Sequence, residues 1–321
     1  MLSYIGRRLL FSIPVIIIAS FLLFVFVRAT YDPTNRLAFV PDQSAVERER
    51  ERLGLNDPVV EQYTNWAGDF VQGDWGESSR TRQDVFPVIR KALWNTIQLI
   101  FWGILVSAII AVAVGVFSAV RQYSVGDYVF TGLSFVGLAM PPFWFGLIAI
   151  HFLSAQPRAW FDLSEPPLYF VGLHSVGESG VIDYARHLVL PVLTLTVQII
   201  ASWSRYERAS MLDALSADYV RTARAKGLPA RKVIFKHAFR NALIPLVTVM
   251  ALDIGLLFGG LVVTEQIFSI PGMGRLFINS LFQGDVEVLT AWVIVTATFV
   301  ILFNLLADVV YGLLDPRIRY S

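Results

Sequence analysis

Any covalent chemistry in this chain has to come from a short inventory of side chains. There are no cysteines, which removes disulfides, thiolate nucleophiles and cysteine-held metals together. Four histidines stand at positions 151, 174, 187 and 237, with no spacing that sets two on one helical face, and no His-Glu-x-x-His occurs. Each therefore reads as a polar or interfacial residue rather than a metal ligand. A serine nucleophile elbow would read Gly-x-Ser-x-Gly; Gly177-Glu-Ser-Gly180 has the wrong spacing. None of the four lysines follows a glycine, so the phosphate-cradling Gly-x-x-x-x-Gly-Lys-Ser/Thr loop is missing too. The chain is read as a non-enzyme without a cofactor of its own, and if it moves solute with ATP, the ATPase is another chain.

What is left is the chemistry of recognition. Between Arg205 and Arg240 lie nine basic residues against Glu207, Asp213 and Asp218. Within that stretch Ala223, Arg224, Ala225 and Lys226 favour helix, Gly227 can take the left-handed turn that ends one, and Pro229 prevents it from resuming unchanged. The predicted shape is a short helix, a sharp stop and a second basic helix. Small residues at Ala223 and Ala225 would let a partner's groove approach the backbone. The other reading of the same charge is a solvated loop lying against lipid headgroups. A second polar feature is Asp253, set in the middle of an apolar run, where an ionised side chain costs ~2.5 to 3.5 kcal/mol; it must face protein or water. Nearby, Gly255 and Gly259 share one helical face and Gly260 widens it, a surface suited to close backbone packing.

These features are carried by membrane-length elements. Of 321 residues, 55% are apolar and 16% charged, which places the chain in a bilayer. Six stretches are long enough to cross ~30 Å of hydrocarbon: 9–27, 92–120, 128–157, 187–204, 241–264 and 288–307. Pro141 and Pro142 remove backbone donors inside the third and should kink it. Arg7 and Arg8, the basic 205–240 segment, and Arg317 with Arg319 fall on one side of this arrangement, while the acid-rich 30–91 and 158–186 segments fall on the other, so both termini are expected in the cytoplasm. The 19-residue apolar run at 9–27 exceeds a signal-peptide core and lacks a clear cleavage site, so it is read as a retained span. Glu47-Arg-Glu-Arg-Glu-Arg52 reads as a salt-bridged solvated helix.

The Thr222-Ala-Arg-Ala-Lys-Gly227 core resembles the EAA loop of ABC importer permeases, in the form found in the dipeptide and oligopeptide permease family. Further matches follow in order: Ile5-Gly-Arg-Arg-Leu-Leu, Leu53-Gly-Leu-Asn-Asp-Pro58 with Tyr63, Gly73-Asp-Trp-Gly76, Arg205-Tyr-Glu-Arg208 with Met211-Leu212, Glu265 to Gly274, Asp308 with Tyr311, and Asp315-Pro-Arg-Ile-Arg319. Against the general EAA pattern the leading Glu-Ala-Ala positions hold Arg221, Thr222 and Ala223, and the later Ile-x-Leu-Pro positions hold His237, Ala238, Phe239 and Arg240. Both departures are usual in the peptide branch.

The resemblance implies an all-α polytopic membrane protein with six transmembrane helices in the type I (MetI-like) importer permease fold, resident in a prokaryotic plasma membrane. Its segments would be a first helix at 1–29, an extracytoplasmic stretch at 30–91, and a permease core at 92–321 that includes the loop at 205–240. It further implies a second homologous permease subunit, two cytoplasmic P-loop ATPases and an extracytoplasmic solute-binding protein as partners, and no nucleic acid. Tyr219, Arg221, Thr222, Ala223, Arg224, Ala225, Lys226, Gly227 and Leu228 would form the ATPase-coupling loop, and Gly255, Gly259 and Gly260 a packing or gate surface. Asp253 is then either a pore-lining acid that meets a peptide's ammonium group or a buried carboxyl bonded to a neighbouring helix. An ion-coupled secondary carrier is the alternative from a different energetic class; the chain shows no matching halves of the kind many such carriers have.

Overall fold

The computed structural model describes residues 2–31, 34, 43–52, 54–178 and 180–314, and these are mostly helical. In chain order the helices are α1 (Leu2–Thr30), α2 (Gln43–Arg52), α3 (Val59–Gln72), α4 (Val85–Val120), α5 (Val125–Ala139), α6 (Pro142–Ile150), α7 (Gln156–Trp160), α8 (Val181–Ser216), α9 (Asp218–Ala225), α10 (Ala230–Lys232), α11 (Phe239–Gly260), α12 (Val262–Ile267), α13 (Met273–Gln283) and α14 (Val286–Leu314). Single π-helical stretches, His151–Ala155 and Val233–Ala238, join α6 to α7 and α10 to α11. Five helices are long and apolar enough to cross a membrane, and α5 with α6–α7 forms a sixth, bent candidate. The bend is 105° and falls at Met140–Pro141, where Pro141 and Pro142 interrupt the ladder as their missing donors require.

The spans differ from the sequence reading chiefly at their ends. Helix α4 begins at Val85 and passes through Arg90 and Lys91, and α8 runs 36 residues to Ser216. Charge marks where hydrocarbon stops, whereas a helix stops only where its backbone bonding is interrupted. Terminal residues 315–321, which include Asp315-Pro-Arg-Ile-Arg319, and the surroundings of the Asp308 and Tyr311 side chains lie outside what is described.

The chain forms two compact units. One comprises 2–95 with 271–301. Here Phe24 and Val27 of α1 pack with Tyr63 of α3 and with Val286 and Leu289 of α14, and the Tyr63 hydroxyl lies 2.7 Å from Ser20 Oγ. Arg28 donates to Glu287 at 3.0 Å, Asn95 donates to the Pro271 carbonyl at 3.0 Å, and the Ser78 hydroxyl bonds Asp285. Through these contacts the polar stretch after α1 is bound to the start of α14.

The other unit comprises 96–270 with the chain from Leu302. Helix α8 is its axis, with Leu190, Trp203 and Met211 fully buried along it. Trp203 packs with Ala111 of α4 and Leu246 of α11, while Met211 and Ala214 pack with Ala119, Val233 and Ala242. Gly103 and Gly115 let α4 approach α8: a Cβ at 103 would sit 2.4 Å from Leu195, and one at 115 would sit 2.6 Å from Glu207. On α12, Glu265 is fully buried and accepts a bond from the Thr96 hydroxyl at 2.6 Å.

Candidate functional site

Helix α8 ends because Ala217 is extended, and α9 starts at once: the Val220 and Arg221 amides both bond back to the Ala217 carbonyl, at 3.0 and 3.1 Å. Eight residues later α9 is stopped by Gly227 at φ 76°. The Leu228 amide reaches the Ala223 carbonyl (3.4 Å) and the Gly227 amide the Arg224 carbonyl (2.9 Å), the paired bonds of a Schellman ending. Pro229 then caps the next helical stretch, which runs without a break through α10 and the π-helical turn into α11. The short helix, the stop and the second basic helix therefore occur as the residue types predict. The second helix is continuous with a membrane-length element.

The two faces of α9 differ sharply. Val220 and Ala223 are buried with Leu228 against Met211, Ala214 and Val233, so the loop is held to its own unit by an apolar underside. Tyr219, Arg221, Thr222, Arg224, Ala225, Lys226 and Gly227 are exposed. Of the two alanines read as making room for a partner, only Ala225 faces outward. The Asp218–Arg221 ion pair, at 3.3 Å and almost fully exposed, contributes little to holding the loop.

Beneath the loop lies a polar clasp that sequence inspection did not identify. Arg208 on α8 donates from Nε and from Nη2 to the two oxygens of Asp127 on α5, both at 2.8 Å, and Asp127 is 2% exposed. The Tyr123 amide adds a third donor to that carboxylate at 2.9 Å, and Ser124 caps α5 by accepting from the Asp127 amide. Further along the same two helices, Ser134 and Ser204 hydroxyls lie 3.3 Å apart, and Gln198 donates at 3.0 Å to the Met140 carbonyl, the group left without a helical partner at the bend. So α5 is fastened to α8 at three levels. Glu207, next to Arg208, is fully buried against Gly115, and neither of its oxygens has a hydrogen-bond partner among the described residues.

Asp253 on α11 is partly buried and accepts a 2.7 Å bond from the indole N–H of Trp203, which is itself fully buried on α8. A bond to a neighbouring helix is thus in place, and a partly accessible carboxyl remains. Gly255 is buried on the same helix; Gly259 and Gly260 close α11, and their surroundings lie outside what is described. No hydrogen bond or shared apolar cluster among the described residues joins Asp253 or Gly255 to the α9 loop. Of the histidines, His187 packs on Tyr169 with Nδ1 2.9 Å from the Asp183 carbonyl, and His174 stacks on Tyr184. Among the described residues no three histidine or acidic side chains converge to hold a metal.

An α8–α9 axis with an exposed basic turn, set among spans for a bilayer, describes a membrane permease component. The model of the family "Binding-protein-dependent transport system inner membrane component" matches residues 111–320, and the chain belongs to that family. It is a multi-pass inner-membrane protein and a transport component rather than an enzyme. Over its whole length, and the whole length of each relative, the chain is similar to three curated proteins. It is 42% identical to the oligopeptide transport system permease protein AppB of Bacillus subtilis, 36% to the di/tripeptide transport system permease protein DppB of Pseudomonas aeruginosa, and 36% to the glutathione transport system permease protein GsiC of Escherichia coli. The ion-coupled carrier is left without support.

Proposed function

We propose that this chain is the membrane-spanning permease subunit of an ATP-driven peptide importer, and that it forms half of the translocation pore. The observation that carries the reading is the exposed basic face of α9, ended at Gly227, with an apolar underside seated directly on the end of α8. A motor on a separate chain needs a rigid handle on the permease. The Schellman stop makes the turn rigid, and the α8–α5 clasp carries its displacement into the bent span. In this reading Tyr219, Arg221, Thr222, Arg224, Ala225, Lys226 and Gly227 meet an ATPase subunit on the cytoplasmic side, while Val220, Ala223 and Leu228 hold the turn to its own unit. ATP-driven closure of an ATPase pair then moves the loop, α8 and α5 as one body, a hinge or shear motion about neighbouring helices.

Peptide as cargo rests on the names of the relatives, which include one for glutathione, itself a small peptide. A second permease subunit, two ATPases and a binding protein complete the proposed assembly, with cargo choice made largely by the binding protein. The test is to tag the chain at native copy number, extract it in mild detergent and identify what co-purifies. P-loop ATPases with a second permease support the reading. In vesicles rebuilt from those parts, ATP-dependent accumulation of labelled dipeptide, tripeptide and glutathione sorts the cargo. A folded chain recovered without ATPases from a membrane that contains them overturns the proposal.

A further inference from the structure

Helix α4 ends with Phe117 and Val120 in its last turn, Arg121 follows it, and the π-helical turn 233–238 lies across from it. Between them runs a groove of about 430 Å³ lined by Val112, Val116, Phe117, Val120, Ile234 and Phe235, whose charged wall residue is Arg121. The Arg121 guanidinium sits 5.7 Å from the centre of the Phe117 ring. Phe235 also lines a second hollow of about 560 Å³ whose other walls are Pro229, Arg231, Lys232 and Lys236. Among the described residues no acidic side chain pairs with Arg121, Arg231, Lys232 or Lys236.

Three properties of this place agree on one occupant. Val112, Val116 and Val120 belong to a helix apolar enough to lie in hydrocarbon, so the bore suits an acyl chain rather than a free ion or a polar protein segment. Arg121 directly follows the last residue of that helix, and Arg231, Lys232 and Lys236 line the hollow that shares Phe235 with the groove, so long cationic side chains flank the apolar bore as headgroup ligands do. No carboxylate lines either hollow to receive the ammonium of a zwitterionic headgroup, whereas four positive charges await a phosphate. We propose that the groove between the end of α4 and the 233–238 turn is a binding site for one anionic phospholipid, its acyl chain along Val112, Val116 and Ile234 and its headgroup phosphate at Arg121 and the neighbouring loop cations. A lipid here would brace the π-helical turn that joins the α9 loop to α11.

The chain, purified with whatever subunits accompany it, is stripped of lipid in mild detergent and titrated with phosphatidylglycerol or phosphatidylcholine of equal chain length, and bound lipid is counted by native mass spectrometry. Phosphatidylglycerol is expected to be retained preferentially. Each of R121Q, K232Q and K236Q is expected to lower that preference about fivefold, as follows from roughly 1 kcal/mol per basic residue at a membrane surface. All three are exposed, so folding is spared. Ala113 lines the same groove, so Ala113→Trp fills the bore and is expected to reduce retention of phosphatidylglycerol with the cations intact. A photoreactive benzoylphenylalanine at position 235 is expected to cross-link lipid. Equal retention of the two lipids, a preference unchanged in the variant combining R121Q, K232Q and K236Q, displacement by inorganic phosphate at matching concentration, or cross-linking to another protein chain each overturns the site.

Discussion

Replacing Arg208 by alanine removes the two charged donors among the four on the Asp127 carboxylate, leaving the Tyr123 amide and the more distant Thr131 hydroxyl on a group whose side chain is 3% exposed. Breaking a buried pair from one side costs about 3 to 5 kcal/mol, because the other charge is left without compensation. Two features place this clasp at the low end. The Tyr123 amide stays on Oδ2, and the Arg208 side chain is 27% exposed, so water reaches its side of the pair. The expected loss is about 3 kcal/mol, or about 6 to 12 °C in apparent Tm at ~2 to 4 °C per kcal/mol for a chain of this size. Thermal unfolding in mild detergent, followed by size-exclusion of a fluorescent fusion, measures it. Asp127→Ala should lose a similar amount, and the double variant should lose less than the sum by at least about 1.5 kcal/mol, since once one partner is gone the other has nothing left to give. Vesicles holding the assembled transporter supply the second readout: with α5 unfastened from α8, ATP turnover should persist while peptide uptake falls. Additive losses, with the double variant matching the sum of the singles to within ~0.5 kcal/mol, would refute the clasp as a coupled unit.

Three further outcomes follow from the same geometry. At Gly227 a Cβ meets no atom within 4 Å, so Gly227→Asp carries only the cost of a left-handed backbone, about 1 to 2 kcal/mol; the protein should fold and insert yet lose ATPase binding in pull-down, and full uptake by this variant would remove the docking role. Gly115→Ala places a Cβ 2.9 Å from the Ser204 carbonyl oxygen as well as 2.6 Å from Glu207, and should cost about 1 to 3 kcal/mol in the same melting assay; an unchanged Tm would mean that α4 and α8 are less closely apposed than described. Asp253→Asn keeps an oxygen for the Trp203 indole but removes the charge, so assembly should survive while uptake of peptides with a free amino terminus falls; unchanged uptake assigns the residue to helix packing alone.

Where local rules decide the outcome, the sequence was legible. Gly227 and Pro229 stop and restart a helix within a few residues, and Pro141 with Pro142 breaks a span; neither needs knowledge of distant contacts. Five of the spans followed from apolar length, and the stretch at 128–157 corresponds to the bent α5 and α6–α7 pair, a sixth span only when its two arms are taken together. The Arg208–Asp127 clasp was not legible, because its members are 81 positions apart and each, taken alone, looks like an ordinary loop-side charge. The Thr96–Glu265 bond was hidden in the same way at a separation of 169. The opposite fates of Ala223 and Ala225 could have been read: residues two apart on a helix do not share a face, so both could not have fronted one partner. Helix ends such as Val85 escaped because a charged residue ends hydrophobicity without ending hydrogen bonding.

Between Pro191 and Ser216, α8 has no internal proline, and at 1.5 Å per residue that stretch is about 38 Å long, more than the thickness of the hydrocarbon it crosses. As a beam it exchanges angle for distance: a tilt of about 5° about its middle carries each end through about 1.7 Å, in opposite directions. A push on the loop no larger than an atom's diameter therefore reaches the far side of the membrane as a shift of comparable size, and no residue along the way has to change its rotamer.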